Sequence, residues 1–369
     1  MPIKVWDYLK EYELEKEEID QALTKVFRSG RLILGESVRN FEQELAAFNG
    51  RKFGIGVNSG TDALFLALKA LGLGPGDEVI TVANTAVPTV AAIVSTGATP
   101  RFVDIDPRTY LMDTGLLEKA VTPKTRCLLP VHLFGQCVDM DAVGKVARQR
   151  GLKVLEDCAQ ALGATFRGKR AGSMSDIAAH SFYPTKILGA YGDGGMIITD
   201  DEALDRKARR LRLYGMETTY YSLEHGYNSR LDEVQAEILR RKLAHVLAYI
   251  QRRRALAQRY EDLLRDTPLV LPKTGTHNEH VFYVYVVRHP QRDKIIAELG
   301  RREIVVNISY PWPIHTMSGY GFLGGKDGDL PHTEAAAKEI FSLPMYPTLT
   351  DDEQDRVSSA LHEILASLS

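Results

Sequence analysis

Short apolar runs alternate with longer amphipathic segments through the first half of the chain. Runs such as FGIGV and EVITV are rich in branched apolar residues, whereas the segment between them, TDALFLALKALG, repeats its apolar residues at helical spacing. This alternation predicts a mostly parallel sheet that is covered by helices on both faces. We expect seven strands, at 53–57, 78–82, 101–105, 126–133, 153–157, 176–183 and 195–199.

Helical periodicity flanks this alternating region. Residues 14–70 are mostly helical in pattern, with breaks at 29–35 and 49–59, where glycine, serine and asparagine interrupt the periodicity. A long amphipathic stretch over 231–265 predicts a helix that joins two domains. The large domain is therefore expected to cover residues 1–248.

The C-terminal part of the chain has a mixed pattern. Two strands and two helices are predicted there, at 280–289 and 304–309, and at 291–299 and from Asp351 onward. These elements indicate a smaller α+β domain over residues 249–369. The predicted fold class is thus α/β, with a large sheet domain followed by a small C-terminal domain.

Composition and charge exclude several classes of protein. The 369 residues are 44% hydrophobic and 25% charged, as in chains that fold around an extensive core. The 46 basic and 48 acidic residues give a net charge of −2, so neither nucleic acid nor a membrane surface is an expected partner. The start of the chain lacks the apolar core of a signal peptide, and no stretch has the length of a membrane span, which predicts a cytoplasmic location.

The three cysteines are widely spaced. Cys127, Cys137 and Cys158 form no CxxC pair, and their number is odd. Neither a disulfide framework nor a zinc site follows from this pattern, so we expect buried reduced thiols and no bound metal.

Polar residues follow several predicted strands, at the edge where open α/β sheets bind ligands. After the first strand, Gly60 and Thr61 begin a helix whose free N–H groups can hold a phosphate, although SGTD is also an ordinary N-cap sequence. After the fifth strand, the Asp157 carboxylate can hold a cationic ring nitrogen, and the Gln160 amide can bond to a ring oxygen. A helix N-cap is the alternative there.

A lysine completes this set of polar residues. The sixth predicted strand leads past Ser181 into a turn at Pro184, which presents Lys186 among small and apolar residues. Such surroundings favour the uncharged amine of a Schiff-base nucleophile. A phosphate-binding helix start, an acidic strand end and a lysine are together what pyridoxal 5′-phosphate requires.

Six segments carry a family resemblance along essentially the whole chain. In order and spacing they resemble the motifs of the DegT-type sugar-nucleotide aminotransferases: SGTDAL (59–64), PVHLFGQ (130–136), EDCAQALGA (156–164), SFYPTK (181–186), GDGGM (192–196) and GYNSRLDEVQAEIL (226–239). The resemblance implies an aspartate-aminotransferase-like fold, pyridoxal phosphate fold type I, with pyridoxal 5′-phosphate as the cofactor.

The same resemblance implies how the cofactor is held. The main chain of Gly60 and Thr61 would bind its phosphate, and Ser181 would add a hydroxyl. Asp157 would pair with the pyridine nitrogen, and Gln160 would contact the ring oxygen.

Two further residues acquire roles from the resemblance. Lys186 would bind the cofactor covalently and move protons, while L-glutamate donates an amino group that a keto sugar then receives. Asn228 matches the residue that reaches the phosphate from the partner subunit, which implies a homodimer with shared active sites.

Some positions depart from the family pattern or have a plainer interpretation. The resemblance implies that Ala86 is also a cofactor-binding position, but it falls where many relatives place a larger side chain against the cofactor ring, which puts stacking there in doubt. His180, where relatives often carry a bulky apolar residue, is interpreted as a core histidine. Asp104 and Asp106 are interpreted as turn-forming residues.

The segment NISYPWPIHTMSG (307–319) points to a substrate class. It resembles the enzymes of the family that aminate C3 of dTDP-3-keto-6-deoxyhexoses. Its aromatic residues suit sugar and base faces, and the predicted sugar-nucleotide pocket is lined by Tyr183, Tyr310, Trp312 and His315. A proline-rich loop packed on the small domain is the alternative.

Three other functions stay open at this point. An aminotransferase for 4-keto sugar nucleotides would share every cofactor-binding residue. A sugar dehydratase of the same fold would carry histidine in place of Lys186. A non-catalytic regulator that binds pyridoxal phosphate would have lost Lys186 or Asp157, and both are present.

Overall fold

The computed structural model describes residues 2–368, which contain eleven α-helices and fourteen strands. The α-helices are α1 (Tyr8–Ser29), α2 (Glu36–Phe48), α3 (Gly60–Ala70), α4 (Val87–Ser95), α5 (Leu117–Ala120), α6 (Met140–Arg150), α7 (Glu202–Leu211), α8 (Glu233–Leu264), α9 (Arg292–Arg301), α10 (Pro331–Glu339) and α11 (Asp351–Leu368). The strands are β1 (Phe53–Val57), β2 (Glu78–Val82), β3 (Thr99–Val103), β4 (Thr125–Leu128), β5 (Lys153–Asp157), β6 (Thr165–Phe166), β7 (Lys169–Arg170), β8 (Ile177–Ser181), β9 (Gly195–Thr199), β10 (Met216–Thr218), β11 (Tyr221–Ser222), β12 (Asn278–Glu279), β13 (Tyr285–Arg288) and β14 (Ile340–Leu343).

Within the described residues, the central sheet has seven strands in the order β1-β9-β8-β5-β4-β2-β3. All of them run in one direction except β9, which is antiparallel to both β1 and β8. The register places Gly195, at the start of β9, between Val57 at the end of β1 and Ser181 at the end of β8. The predicted seven-stranded, mostly parallel sheet is confirmed, and its carboxyl edge brings the β1 and β8 exits together.

Three strands of this sheet end earlier than predicted, at Val103, Leu128 and Ser181. The predicted extension of β4 is interrupted by Pro130, which has no N–H to continue the ladder. The Pro130 carbonyl instead accepts a hydrogen bond from the Asp157 N–H at 3.0 Å. This contact keeps the segment after β4 beside the end of β5.

The C-terminal region differs more from the prediction. β13 covers only part of the predicted strand 280–289, and it pairs antiparallel with β14, which the sequence pattern did not indicate. The predicted strand 304–309 forms only isolated bridges, from Ile304 to Ile3 and from Asn307 to Ser342. An alternating pattern forms a regular strand only where a neighbouring strand supplies a continuous ladder, and this segment meets two different parts of the chain instead.

Helix α8 contributes to two apolar clusters. Its first half supplies Ala236, Leu239 and Val246 to the cluster that includes the central sheet, whereas its second half supplies Leu256 and Tyr260 to a second cluster. That second cluster also takes in β13, β14 and α11. The predicted division of the chain at residue 248 falls inside α8 and stays a prediction.

The interior also contains the cysteines. Cys127, Cys137 and Cys158 are buried free thiols. Among the helices described for residues 2–368, none combines the length and the apolar character that crossing a membrane requires.

Candidate active site

The exit of β1 forms a cradle of main-chain groups. Ser59 caps α3, because its hydroxyl accepts a hydrogen bond from the Asp62 N–H at 3.1 Å. A Cβ atom at Gly60 would lie 2.5 Å from the Cβ of Ser181, so only glycine allows the helix start to approach β8 this closely. The free N–H groups of Gly60 and Thr61 therefore lie beside the Ser181 hydroxyl, which suits a phosphate. The competing N-cap role belongs to Ser59.

Asp157 ends β5 at the same edge and is only 4% exposed. Its Oδ2 accepts a hydrogen bond from the Thr89 hydroxyl at 2.8 Å, and its Oδ1 accepts one from the Ala159 N–H at 3.1 Å. Burial raises the pKa of Asp157, and these two hydrogen bonds together with the Lys186 charge offset only part of that effect. Each oxygen keeps a lone pair, so the carboxylate can accept a hydrogen bond from a cationic ring nitrogen.

Gln160 connects two residues with unusual backbone conformations. Its Oε1 accepts a hydrogen bond from the Phe134 N–H at 2.8 Å, and its Nε2 donates to the hydroxyl of Tyr310. Phe134 and Tyr310 both have a left-handed backbone, with φ of 61° and 60°, and their rings stack with centroids 6.4 Å apart. The predicted sugar residue Tyr310 is thus brought against a predicted cofactor residue. The predicted contact of Gln160 with the ring oxygen would use the second N–H of its amide.

Lys186 lies in the turn that follows β8. Its main-chain N–H donates to the Tyr183 carbonyl at 2.8 Å, which closes the turn, and its Nζ lies 3.4 Å from the Tyr283 hydroxyl. Its positive charge also lowers the pKa of Asp157, which places the amine within electrostatic reach of the carboxylate. Sequence reasoning missed Tyr283 and Thr89, because each lies far along the chain from the residue that it contacts.

Three predicted residues lie at the surface. Tyr183 and Trp312 are 53% and 69% exposed, and Asn228 is exposed as well. Side chains in such positions are available to a substrate or to a second chain. Their roles in the sugar pocket and across a dimer interface stay predictions.

Ala86 and His315 lie around the strand exits in different settings. Ala86 is the N-cap residue of α4, one turn before Thr89, and its methyl group offers no ring to stack on a cofactor. His315 is 2% exposed, its Nε2 bonds to Glu334 at 3.1 Å, and its ring packs near that of Phe102. The contacts described for His315 do not reach the lysine or the carboxylate, and its role in the pocket stays a prediction.

His132, Glu156 and Cys158 form a buried cluster beneath this edge. The Nδ1 of His132 accepts a hydrogen bond from the Val138 N–H at 3.1 Å, so Nε2 carries the proton and donates to Glu156 at 2.9 Å. Burial alone would raise the pKa of Glu156, but its hydrogen bonds, above all that from His132, hold the pKa below its usual value. Burial raises the pKa of the Cys158 thiol well above its ordinary value. The histidine and carboxylate atoms are already hydrogen-bonded to the chain, which makes the cluster a buried structural network, and the absence of a bound metal stays a prediction.

His180 is a buried histidine whose two ring nitrogens have no hydrogen-bond partner among the described residues. Burial lowers its pKa from 6.5 to about 4. Between these two pH values the unfolded chain binds a proton at His180 that the folded chain does not. Protonation therefore favours the unfolded state, and the stability of the protein falls as the pH falls through this range.

We expect His180→Leu to remove this part of the acid sensitivity. The quantity to compare is the free energy of unfolding of the variant minus that of the wild type. This difference should be about 2 kcal/mol larger at pH 5 than at pH 7. Denaturant unfolding at both pH values measures the difference. His332→Leu, at an exposed histidine, is the matched control and should show no such pH dependence. An equal effect of His180→Leu at both pH values would contradict the assignment.

A phosphate cradle, a buried carboxylate and a lysine at one sheet edge define an enzyme that uses pyridoxal phosphate. The profile of the DegT/DnrJ/EryC1/StrS aminotransferase family matches residues 13–362, and the chain belongs to this family. Structures of similar proteins contain pyridoxal phosphate or its amino form. The residues described above fit this group, and pyridoxal phosphate is the cofactor of the enzyme.

Individual relatives are similar over their whole length. The chain is 58% identical to a dTDP-3-amino-3,4,6-trideoxy-alpha-D-glucose transaminase of Micromonospora megalomicea subsp. nigra, with 100% of both chains covered. It is 45% identical to a pleiotropic regulatory protein of Geobacillus stearothermophilus, with 98% of both covered. The crystal structure of S. venezuelae DesV in complex with a ketimine intermediate superposes with a TM-score of 0.97, at 42% identity and 98% coverage of both chains.

Proposed function

We propose that this enzyme transfers an amino group to C3 of a dTDP-linked 3-keto-6-deoxyhexose, with L-glutamate as the amino donor. The placement of Asp157, Lys186 and the Gly60 cradle at one sheet edge carries the aminotransferase chemistry. The choice of C3 and of the dTDP-sugar is supported by the relative that is 58% identical over the whole chain. A cytoplasmic location is part of the same proposal.

Each group at the sheet edge has a separate task. Bound pyridoxal phosphate supplies an electron-withdrawing ring that stabilises the carbanion formed at the substrate carbon. Asp157, held by Thr89 and by the Ala159 N–H, keeps a proton on the ring nitrogen. The Nζ of Lys186 moves a proton from the Cα of the amino donor, and general acid–base catalysis of this kind contributes roughly 10²–10⁴ in rate.

The sugar is proposed to bind between the aromatic residues Tyr183, Tyr310 and Trp312 and the lysine. Tyr183 lies two residues after the end of β8, and Tyr310 reaches the same edge through its contact with Gln160. Trp312 is two residues further along the segment. Aromatic rings offer flat apolar faces that suit sugars and bases, and this supports their assignment to the sugar-nucleotide pocket.

A second copy of the chain is proposed to complete each site. Asn228 is exposed, although the neighbouring Ser229 is buried and hydrogen-bonds to Asn58 just after β1. The Asn228 side chain is therefore free to face another chain. This supports a homodimer in which Asn228 of one protomer reaches the cofactor phosphate of its partner.

The substrate assignment is tested by product analysis. The enzyme, loaded with pyridoxal phosphate, is incubated with L-glutamate and either a dTDP-3-keto or a dTDP-4-keto 6-deoxyhexose, and the amino sugar is identified by NMR. We expect amination of the 3-keto sugar. Amination of only the 4-keto sugar would assign the reaction to C4 instead of C3. Amination of neither sugar would favour a regulatory function, as in the relative that is 45% identical.

A further inference from the structure

Tyr283 contacts the free amine of Lys186. The lysine Nζ lies 3.4 Å from the Tyr283 hydroxyl and 4.5 Å from the centroid of the Tyr283 ring. The same hydroxyl lies 2.8 Å from the hydroxyl of Thr185, the residue before the lysine. The amine thus meets an oxygen and an aromatic face of one side chain, and both attract a cation.

The position of Tyr283 is itself set by several parts of the chain. Its N–H donates to the Phe134 carbonyl at 3.1 Å, and its own carbonyl accepts a hydrogen bond from Arg253 of α8 at 3.1 Å. A Cβ atom at Gly135 would lie 2.9 Å from the Tyr283 nitrogen, so the glycine permits this close approach. Trp6, which lies just before α1, packs near its ring, at 6.5 Å between centroids. Tyr283 is 7% exposed and has little freedom to move.

The two hydroxyls can serve Lys186 in both of its protonation states. When the amine is protonated, the Tyr283 oxygen accepts a hydrogen bond from Nζ and its own proton is donated to Thr185. When the amine is neutral, the Tyr283 hydroxyl donates to Nζ and accepts from Thr185. Either atom of the Thr185–Tyr283 pair can be the donor, because a hydroxyl rotates to suit its partners.

We propose that Tyr283 is a positioning residue for Lys186, and that Thr185 and Tyr283 form a reversible hydrogen-bonded pair that keeps the lysine amine in place whether or not it carries a proton. A lysine side chain otherwise samples many rotamers, and an amine that moves a proton must stay near the substrate carbon. The inference rests on the proposed role of Lys186. It adds two residues that act through the lysine.

The first test uses the enzyme without cofactor. Trace acetylation with acetic anhydride, followed by peptide mass spectrometry, measures the reactivity of Lys186 relative to the exposed Lys124 and Lys169. Tyr283→Phe keeps the ring and removes the hydroxyl, so the relative reactivity of Lys186 should rise about 3- to 10-fold. Thr185→Val should change the reactivity in the same direction. Because the two residues act as a pair, the fold-change in the double variant should be smaller than the product of the two single fold-changes.

Tyr285→Phe is the matched control. Tyr285 lies two residues away, and its hydroxyl has no hydrogen-bond partner among the described residues. Its loss should leave the reactivity of Lys186 unchanged. Equal reactivity in Tyr283→Phe, Tyr285→Phe and the wild type would overturn the proposal. If Tyr283→Phe does not fold, Thr185→Val decides the question, and unchanged reactivity in that variant has the same consequence.

The second test uses the enzyme loaded with cofactor. Tyr283→Phe should lower kcat about tenfold and leave the KM for L-glutamate nearly unchanged, because the hydroxyl acts on the lysine and not on the substrate. If Tyr283→Phe alters the reactivity of Lys186 but the wild-type protein aminates no keto sugar, the proposed function is wrong and the role of Tyr283 still holds. If Tyr283→Phe has wild-type lysine reactivity and wild-type turnover, the role of Tyr283 is wrong and the proposed function still holds.

Discussion

Replacing Lys186 with alanine should lower the rate of transamination by more than about 10⁴-fold, because one amine both binds the cofactor covalently and moves the proton, and the substitution removes both functions. The assay is formation of the amino sugar from a dTDP-keto sugar and L-glutamate. Borohydride treatment of the loaded wild-type enzyme should fix the cofactor to the peptide that contains Lys186. The variant should show no such label.

The control for this substitution is Lys124→Ala, at an exposed lysine outside the site. It should keep full activity, and Lys186→Ala should keep the fold and the oligomeric state of the wild type. Near-normal turnover by Lys186→Ala would remove the lysine from its role.

Lys186→Ala also tests the shared site. When Lys186→Ala chains are mixed with Asn228→Ala chains, each mixed dimer should contain one site with both residues intact. Activity should therefore reappear although each variant alone is inactive. Absence of recovery in verified mixed dimers would show that Asn228 does not act across the interface.

Replacing Asp157 with asparagine should lower kcat by about 10²–10⁴-fold, because a buried cation that loses its charged partner is destabilised by about 3–5 kcal/mol. Asparagine has nearly the same shape and can still accept one of the hydrogen bonds from Thr89 and Ala159. It has no charge to keep a proton on the ring nitrogen. Steady-state kinetics and titration with pyridoxal phosphate measure the loss of rate and of cofactor affinity.

The control is Asp106→Asn. Asp106 lies in a turn, where it accepts hydrogen bonds from the N–H and the side chain of Arg108. Its substitution should change kcat by less than about twofold, as expected for a surface ion pair outside the site. An Asp157→Asn variant that keeps more than a tenth of wild-type kcat would refute the assigned role of Asp157.

Asp104 shows where local sequence reasoning is incomplete. The sequence pattern indicates a turn-forming residue, and the structure adds that its carboxylate accepts hydrogen bonds from the His332 N–H at 2.8 Å and the Thr333 N–H at 2.9 Å, in the first turn of α10. The chain separation between Asp104 and Thr333 is 229 residues. Local sequence cannot indicate this role, because the partner lies in a distant part of the chain.

The contacts that sequence reasoning missed at the site share this property. Thr89 lies 68 residues before Asp157, and Tyr283 lies 97 residues after Lys186. Neither residue has an unusual local pattern. Threonine is common in the first turn of a helix, and tyrosine is common beside a strand. Only the packing of the elements gives these two residues their partners.

The sequence by itself determined the features that depend on neighbouring residues. Apolar periodicity predicted the seven strands and the long helix α8, and residues at strand ends predicted the phosphate cradle, Asp157 and Lys186. Only the tertiary structure decided what surrounds these groups: the register that sets Gly60 against Ser181, and the oxygen and ring that Tyr283 offers to Lys186. The physical reason is that periodicity and capping act over a few residues, whereas hydrogen bonds and packing between strand ends depend on how distant segments are brought together.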